Sequence, residues 1–303
     1  MTAIYHPGEL AVQNQAGVQA EAASLGKSIN AIIQPSAQDF LRNQRLVITG
    51  TIDTNGQVWA SLLTGEPGFI QTVTEHTVRI NAAPIPSDPF KENLLQHEIG
   101  ILVIDLATRR RLRINGKAEL QLDGSIYVHT KQVYFNCPKY IQTRHLDIST
   151  AKVPALPEIR NNDTLNSKQQ QWITQTDTFF IASFHPASGV DTSHRGGYPG
   201  FVRVLNTSKL VFPDYAGNNM FNTLGNIFVN PQAALLFIDF EHGNTLQLTG
   251  KARIIWDAEC LKEFAGAERL VEFEIEQVLE ITHASSLHWQ FGEYSPFNPT
   301  QGD

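Results

Sequence analysis

Cysteine is nearly absent: Cys137 and Cys260 are the two in 303 residues. Two isolated thiols make no disulfide framework, and no C-x-x-C pair offers metal-ligand spacing, which suits a reducing compartment. Nor is there a run approaching the ~20 apolar residues of a membrane-spanning helix. The opening MTAIYHPGELAVQNQ has neither the basic leader nor the apolar core of a signal peptide. A cytoplasmic protein with no membrane partner is therefore expected. Basic residues are also short, 23 Lys and Arg against 30 Asp and Glu for a net charge of -7. That excludes the dominant positive field a nucleic acid requires, and leaves room for a single small anion. His185, His194, His283 and His288 are scattered without metal spacing, so no metal is expected. No G-x-S-x-G, Walker or dinucleotide fingerprint occurs.

What the chain does have is an internal repeat. Gly65-Glu66-Pro67-Gly68-Phe69-Ile70 returns 132 residues later as Gly197-Tyr198-Pro199-Gly200-Phe201-Val202. ILVIDL (Ile101 to Leu106) returns 134 residues later as LLFIDF (Leu235 to Phe240), and LRINGKAEL (Leu112 to Leu120) at the same offset as LQLTGKARI (Leu246 to Ile254). Three collinear matches at nearly one offset mean a duplicated domain. Each copy reads as short strands. LVITGTI and VWASLL flank Asp53-Thr54-Asn55-Gly56, a strong hairpin signal, and in Val271 to Glu276 apolar residues alternate with glutamates as in a half-buried strand, with its counterpart at Ile126 to Val133. Helical pattern is confined to Gln19–Leu41, a segment after Phe90, Met220–Phe228 and Asp257–Glu268. The fold class is thus mostly β with minor α, a barrel or sandwich in each copy rather than a parallel α/β sheet. Residues 1–150 form an arm plus the first copy, 151–168 a proline- and asparagine-rich linker, and 169–303 the second copy.

Two segments of the second copy carry chemistry. Asp191 to Gly200 (DTSHRGGYPG) reads as a loop offering Ser193, Arg195 and the unhindered amide of Gly196 to an anion, with an ordinary glycine-rich hairpin loop as the alternative. Phe212 to Asn226 ends a strand and opens a helix, and Asn218 or Asn219 is placed to cap it, with or without a phosphate at its N-terminus. In the first copy, Arg109, Arg110, Arg111 and Arg113 crowd a hairpin tip and strand. They would repel one another unless solvated or paired with an anion. Alternation sends Arg109, Arg111 and Arg113 to one face and Arg110 to the other.

Strand FVRVL, the polar turn, the helix in NNMFNTLGNIFVNPQ, then ALLFIDF and LQLTGKARI, in that order, resemble the pyridoxamine 5'-phosphate oxidase-like FMN-binding split-barrel family. HPGELAVQNQAG and RGGYPGFVRV are similar to its predicted flavin-nucleotide-binding branch. The resemblance implies two tandem split β-barrels sharing FMN, and an FMN-dependent oxidoreductase or a non-catalytic flavin carrier, store or sensor. It places Arg195, Gly196 and Arg203 on or beside the first FMN strand, Asp214, Asn218, Asn219 and Asn222 on the turn and helix start, and Gln247 on a strand that reaches the cofactor. Because FMN in that family is shared between barrels, Arg110, Arg111 and Arg113 of the first copy are expected to cross to the same phosphate. The first copy's own site is expected to be degenerate, since Arg203 corresponds to Gln71 and the asparagine-rich turn to AAPIPSDPF. The family's Ser-Arg-Lys clamp appears here as Asn218-Asn219-Met220, which argues for a different small-molecule substrate or electron donor. No catalytic acid or base stands out. Barrel pairing within the chain is expected, with further homodimerisation left open.

Overall fold

A computed structural model describes residues 4–82, 84–147 and 156–300. The expected linker residues 151–155 lie outside the described residues.

The first copy is a seven-stranded antiparallel sheet: β1 (Leu46–Ile52), β2 (Val58–Thr64), β3 (Ile70–Thr74), β4 (Thr77–Ile80), β5 (Glu98–Asp105), β6 (Arg110–Leu120) and β7 (Ile126–Asn136), in the order β2-β1-β5-β6-β7-β4-β3. After the short β8 (Arg144–Leu146) and β9 (Ile159–Asn162) comes the second copy. Its strands are β10 (Thr178–His185), β11 (Gly189–Gly196), β12 (Arg203–Asn206), β13 (Lys209–Tyr215), β14 (Gln232–Asp239), β15 (Asn244–Ile255) and β16 (Ala267–Ile281). Their order, β11-β10-β14-β15-β16-β13-β12, repeats the first strand for strand. The molecule is two tandem split barrels.

Alternation explains the long apolar runs. In β5, Ile99, Ile101 and Val103 fill the first barrel while Leu102 and Ile104 face outward; in β14, Ala233, Leu235 and Phe237 fill the second barrel while Ala234, Leu236 and Ile238 face outward. The outward residues join Ile48, Leu62, Phe180 and Trp289 in a third core between the barrels. A strand buried on both faces has no polar period, hence ILVIDL and LLFIDF. The aspartates ending those runs are turn residues: Asp105 Oδ1 accepts from the amides of Ala107 and Thr108, and Asp239 Oδ1 from those of Glu241 and His242. The repeated Gly-Lys-Ala also has a steric cause. A Cβ on Gly116 would lie 2.1 Å from the His129 carbonyl oxygen, and one on Gly250 2.1 Å from that of Glu274. At both places the register slips by a bulge.

Several expectations are corrected. The Gln19–Leu41 helix is two helices, α2 (Gln19–Gly26) and α3 (Pro35–Arg42), because Pro35 lacks an amide hydrogen and can only begin a helix. The arm was assigned to the first barrel, yet its α1 (Pro7–Ala16) packs on α6 (Asn222–Val229) of the second. The segment after Phe90 is the single turn α4 (Phe90–Asn93), and the helix expected at Asp257 shrinks to α7 (Ala258–Leu261). The linker ends in structure: β9 pairs with β16, and Asn166 caps α5 (Ser167–Gln175). Near the C-terminus, β17 (Trp289–Phe291) returns to pair with β8. Trp289 packs edge-on against Phe240, 5.8 Å between ring centroids. No helix of the described residues is long and apolar enough to cross a membrane.

Candidate functional site

The expected loop Asp191–Gly200 is a strand as far as Gly196, namely β11, and only the residues beyond it turn. The strand was hidden because both its faces are polar and buried: Asp191, Thr192, Ser193 and His194 are all at most 5% exposed. It is an edge strand pressed against β5 and β6 of the first barrel. Thr192 Oγ1 donates to the Gly100 carbonyl across that junction, 3.0 Å.

Here a pocket opens between the barrels, with a cavity volume of about 90 Å³. Of the residues expected to bind the cofactor, Arg111, Arg113, Ser193, Arg195, Gly196, Asp214, Asn218, Asn219 and Asn222 line it together. Three are placed elsewhere. Arg110 lies over the rings of Phe40 and Phe135, at 4.9 and 5.4 Å, because the alternation that turns Arg111 and Arg113 inward turns it outward. Arg203 opens the edge strand β12, where it pairs with Glu263 at 2.8 Å and covers Phe264. Gln247 reaches the opposite way, donating to Asp88 of the first copy at 2.6 Å. Arg109, also assigned to the inward face, sits in the preceding turn and pairs with Glu293 at 2.9 Å.

The pocket's cations are of two kinds. Arg113 is neutralised: it binds Asp191 at 2.9 Å, and its other nitrogen donates to Ser193 Oγ at 2.8 Å. Arg195 is held by Asp214 at 2.8 Å, and Asp214 also binds Arg269 at 2.9 Å. Arg111 is different. Its Nε donates to the Cys137 carbonyl at 2.8 Å and its Nη1 approaches His194 Nδ1 at 3.3 Å. No carboxylate of the described residues pairs with it. Burial, then the neighbouring Arg113 and Arg195, pull its pKa down to about 9. A guanidinium can only donate, so His194 Nδ1 accepts and Nε2 carries the hydrogen. That Nε2 is buried without a partner. Burial and the arginines hold the His194 pKa well below its ordinary value, so the ring is neutral.

The turn leading into α6 is strained. Asn219 and Phe221 have φ of 58°, and Tyr140 on the facing wall has φ of 65°. Phe221, not an asparagine, is the N-cap of α6, and it makes no side-chain cap. Asn218 instead accepts from the Met220 amide and donates to Asn136 at 2.6 Å, which ties the turn to the first barrel. The capping expectation is therefore corrected. Sparsely populated backbone held at a pocket is a common mark of a functional site. Tyr140 and Tyr215 give the same wall an aromatic face, 5.1 Å between ring centroids, and burial pushes both hydroxyls to about 12. Lys139, Tyr140 and His194 were not among the sequence candidates as pocket residues, and the second-copy motifs give no signal for the first two, which precede it.

The repeat-related position is closed. By strand register, Asp191, Tyr134 and Asn136 correspond to Trp59, Leu279 and Ile281. These three pack with Ile85 and Ala284 into an apolar cluster. Arg111 and Arg113 correspond to Thr245 and Gln247, so no cation remains there. Among the described residues, no group of three or more His, Cys, Asp or Glu side chains is placed to hold a metal ion.

The molecule is thus a tandem split-barrel protein with a polar, cation-lined pocket at the barrel junction. Residues 165–285, which hold the second barrel, match the family model described as Pyridoxamine 5'-phosphate oxidase. No curated protein matches the chain. Among solved structures it is similar to a putative pyridoxamine 5'-phosphate oxidase from Lactobacillus delbrueckii, 17% identical, covering 39% of this chain and 94% of that one at a TM-score of 0.32. A FAD-binding protein from Mesorhizobium loti is 11% identical over 41% of this chain and 98% of its own, at 0.28. An F420 reductase is 15% identical over 37% and 95%, also at 0.28.

Proposed function

We propose that the junction pocket binds FMN and that the protein is an FMN-dependent oxidoreductase acting on a small molecule other than pyridoxamine phosphate. The observation that carries this reading is Arg111, a half-buried cation with no carboxylate among the described residues, beside a buried His194 N–H without a partner. Burying a charge unpaired is costly, so a polypeptide keeps such a group where a ligand completes it. The residues fit a phosphate: Arg111, the His194 Nε2–H and the Ser193 hydroxyl are donors from two barrels, and Lys139 adds a further cation at the wall. Tyr140 and Tyr215 would offer the aromatic wall to the ring. When bound, FMN supplies the electron-transfer chemistry itself. This chain's residues bind the phosphate, orient the ring and set its electrostatic surroundings. No side chain of the pocket is arranged as an obvious general acid or base.

Purified protein titrated with FMN should quench flavin fluorescence saturably and turn yellow. Anaerobic reduction followed by timed mixing with oxygen and nicotinamide donors then separates an oxidoreductase from a flavin carrier. Colourless protein with no saturable uptake would overturn the reading.

A further inference from the structure

The HPGE segment that opens the chain lies outside the pocket wall, yet its glutamate touches it. His6 caps α1 in a reciprocal box: its ring accepts from the Gly8 amide, and its own amide donates to Glu9 at 2.8 Å. The helix then crosses α6 with backbone against backbone. A Cβ on Gly8 would lie 2.3 Å from the Gly225 carbonyl oxygen, and one on Gly225 2.6 Å from the Glu9 Cα. This contact sets Glu9, 3% exposed, against the first turn of α6, where it accepts from Asn222 Nδ2 at 2.5 Å. Asn222 Oδ1 in turn accepts from Arg113 at 3.3 Å and from the Tyr134 hydroxyl at 3.1 Å. One amide therefore separates a buried carboxyl from the cationic side of the pocket.

We propose that Glu9 is a positioning residue of the anion pocket, which through Asn222 sets the placement of Arg113 and makes capture of an anion take up a proton. The proposal rests on the reading of the pocket as a phosphate site. Among the described residues no cation is free to balance Glu9, since His6 Nε2, 3.6 Å from the carboxylate, stays neutral at pH 7. Arg113 is engaged by Asp191 on β11, His6 on its own helix is driven to a pKa of about 4, chiefly by burial and then by His185 stacked on it at 3.8 Å, and Tyr5 and Tyr134 are held protonated by burial. Burial raises the Glu9 carboxyl to about 7, with Asp191 adding to the rise and the bonds from His6 and Asn222 and the charge of Arg113 opposing it. An anion arriving beyond Asn222 adds negative charge that favours the protonated carboxyl. By reciprocity, ionising Glu9 weakens the anion.

The test compares FMN and inorganic phosphate affinities of the wild type, Glu9→Gln and Glu9→Ala between pH 6 and 8.5. A phosphate's own ionisation is common to every protein and cancels in the ratio. Wild-type affinity should fall relative to E9Q by about tenfold as pH rises through 7, the order expected for two charges about 12 Å apart at an effective dielectric near 20. E9A should lose affinity already at pH 6, and E9Q should restore it, because glutamine keeps the bond to Asn222. Calorimetry in buffers of different ionisation enthalpy should show proton uptake near pH 7 in the wild type and none in E9Q. Saturable binding with a pH-independent ratio, or with E9A equal to E9Q, would overturn the proposal while leaving the pocket reading intact. Absence of binding in every variant at every pH would overturn both.

Discussion

Replacing Arg111 with methionine should make the protein more stable and its pocket weaker at once. A guanidinium whose pKa falls from 12.5 to about 9 is held in the fold at a cost of roughly 5 kcal/mol relative to water. Methionine keeps much of the apolar stem and removes the charge. It also strips the Cys137 carbonyl and His194 Nδ1 of a donor, and at these part-buried contacts each loss falls in the lower half of the usual range, about 1.5 kcal/mol. The balance is a gain of roughly 2 kcal/mol, seen as a midpoint of thermal unfolding raised by several degrees. In the opposite direction, truncating one partner of a buried charged contact costs ~2–5 kcal/mol of binding, and 3 kcal/mol in that range is a loss of about 100-fold in FMN affinity. Fluorescence titration and thermal melts of the two proteins read both effects. An Arg111→Met protein that melts lower than wild type and binds FMN equally well would refute the reasoning, since the arginine would then be a structural group satisfied by its own neighbours.

Arg113→Ala should behave oppositely in stability, losing ~3–5 kcal/mol by denaturant unfolding because Asp191 is left buried and unpaired; adding Asp191→Ala should recover part of the loss. Asp88 is buried, bonded by Ser61 and Gln247, and its carboxyl is raised by burial. The native state therefore holds its proton longer than the unfolded state, so stability should be fullest below the ordinary carboxylate range and decline as pH rises toward the raised value. Asp88→Asn should flatten that slope in pH-dependent melts. Gly250→Ala, with no room beside the Glu274 carbonyl, should lower stability by about 1–3 kcal/mol, as overpacking does. Titration should saturate at one FMN per chain, because Trp59, Leu279 and Ile281 fill the repeat-related position.

The repeat was legible because its anchors are imposed by backbone geometry that survives change elsewhere: glycines where strands cross a carbonyl, aspartates that close turns, and apolar runs buried on two sides. The pocket was legible in part for the same reason, since a motif near such an anchor keeps its place. What escaped the sequence depends on long-range pairing. β11 has no apolar period because its partners are an arginine and an asparagine of the other barrel, Arg113 and Asn115, both bonded to Asp191, so a buried strand looks like a polar loop. Arg110 and Arg203 look like ligands in one dimension, but side-chain alternation and an edge position send them to Phe40 and Glu263. The destination of α1 was hidden too: nothing within HPGELAVQNQ says that Gly8 must meet Gly225, 217 residues away.

Duplication within one chain explains how so uneven a junction arises. A symmetric pair of separate barrels would present every junction residue twice, so a buried uncompensated arginine would carry its cost in two places. Once both copies share a chain, each position changes alone. At the pocket the strands keep Asp191 and Tyr134 around Arg113, set Asn136 opposite Arg111, and leave Arg111 without a carboxylate. At the related position Trp59, Leu279 and Ile281 exchange that polarity for apolar packing, and Gln247 replaces the charge with an amide whose Nε2 donates to Asp88. The shared apolar core between the barrels then fixes the two halves against each other, so the stable side holds the costly side in register. The same arrangement accounts for α1 docking on α6 rather than on α4: the pocket-bearing helix opens with an amide, Asn222, that a buried Glu9 can bind, where α4 opens with Phe90.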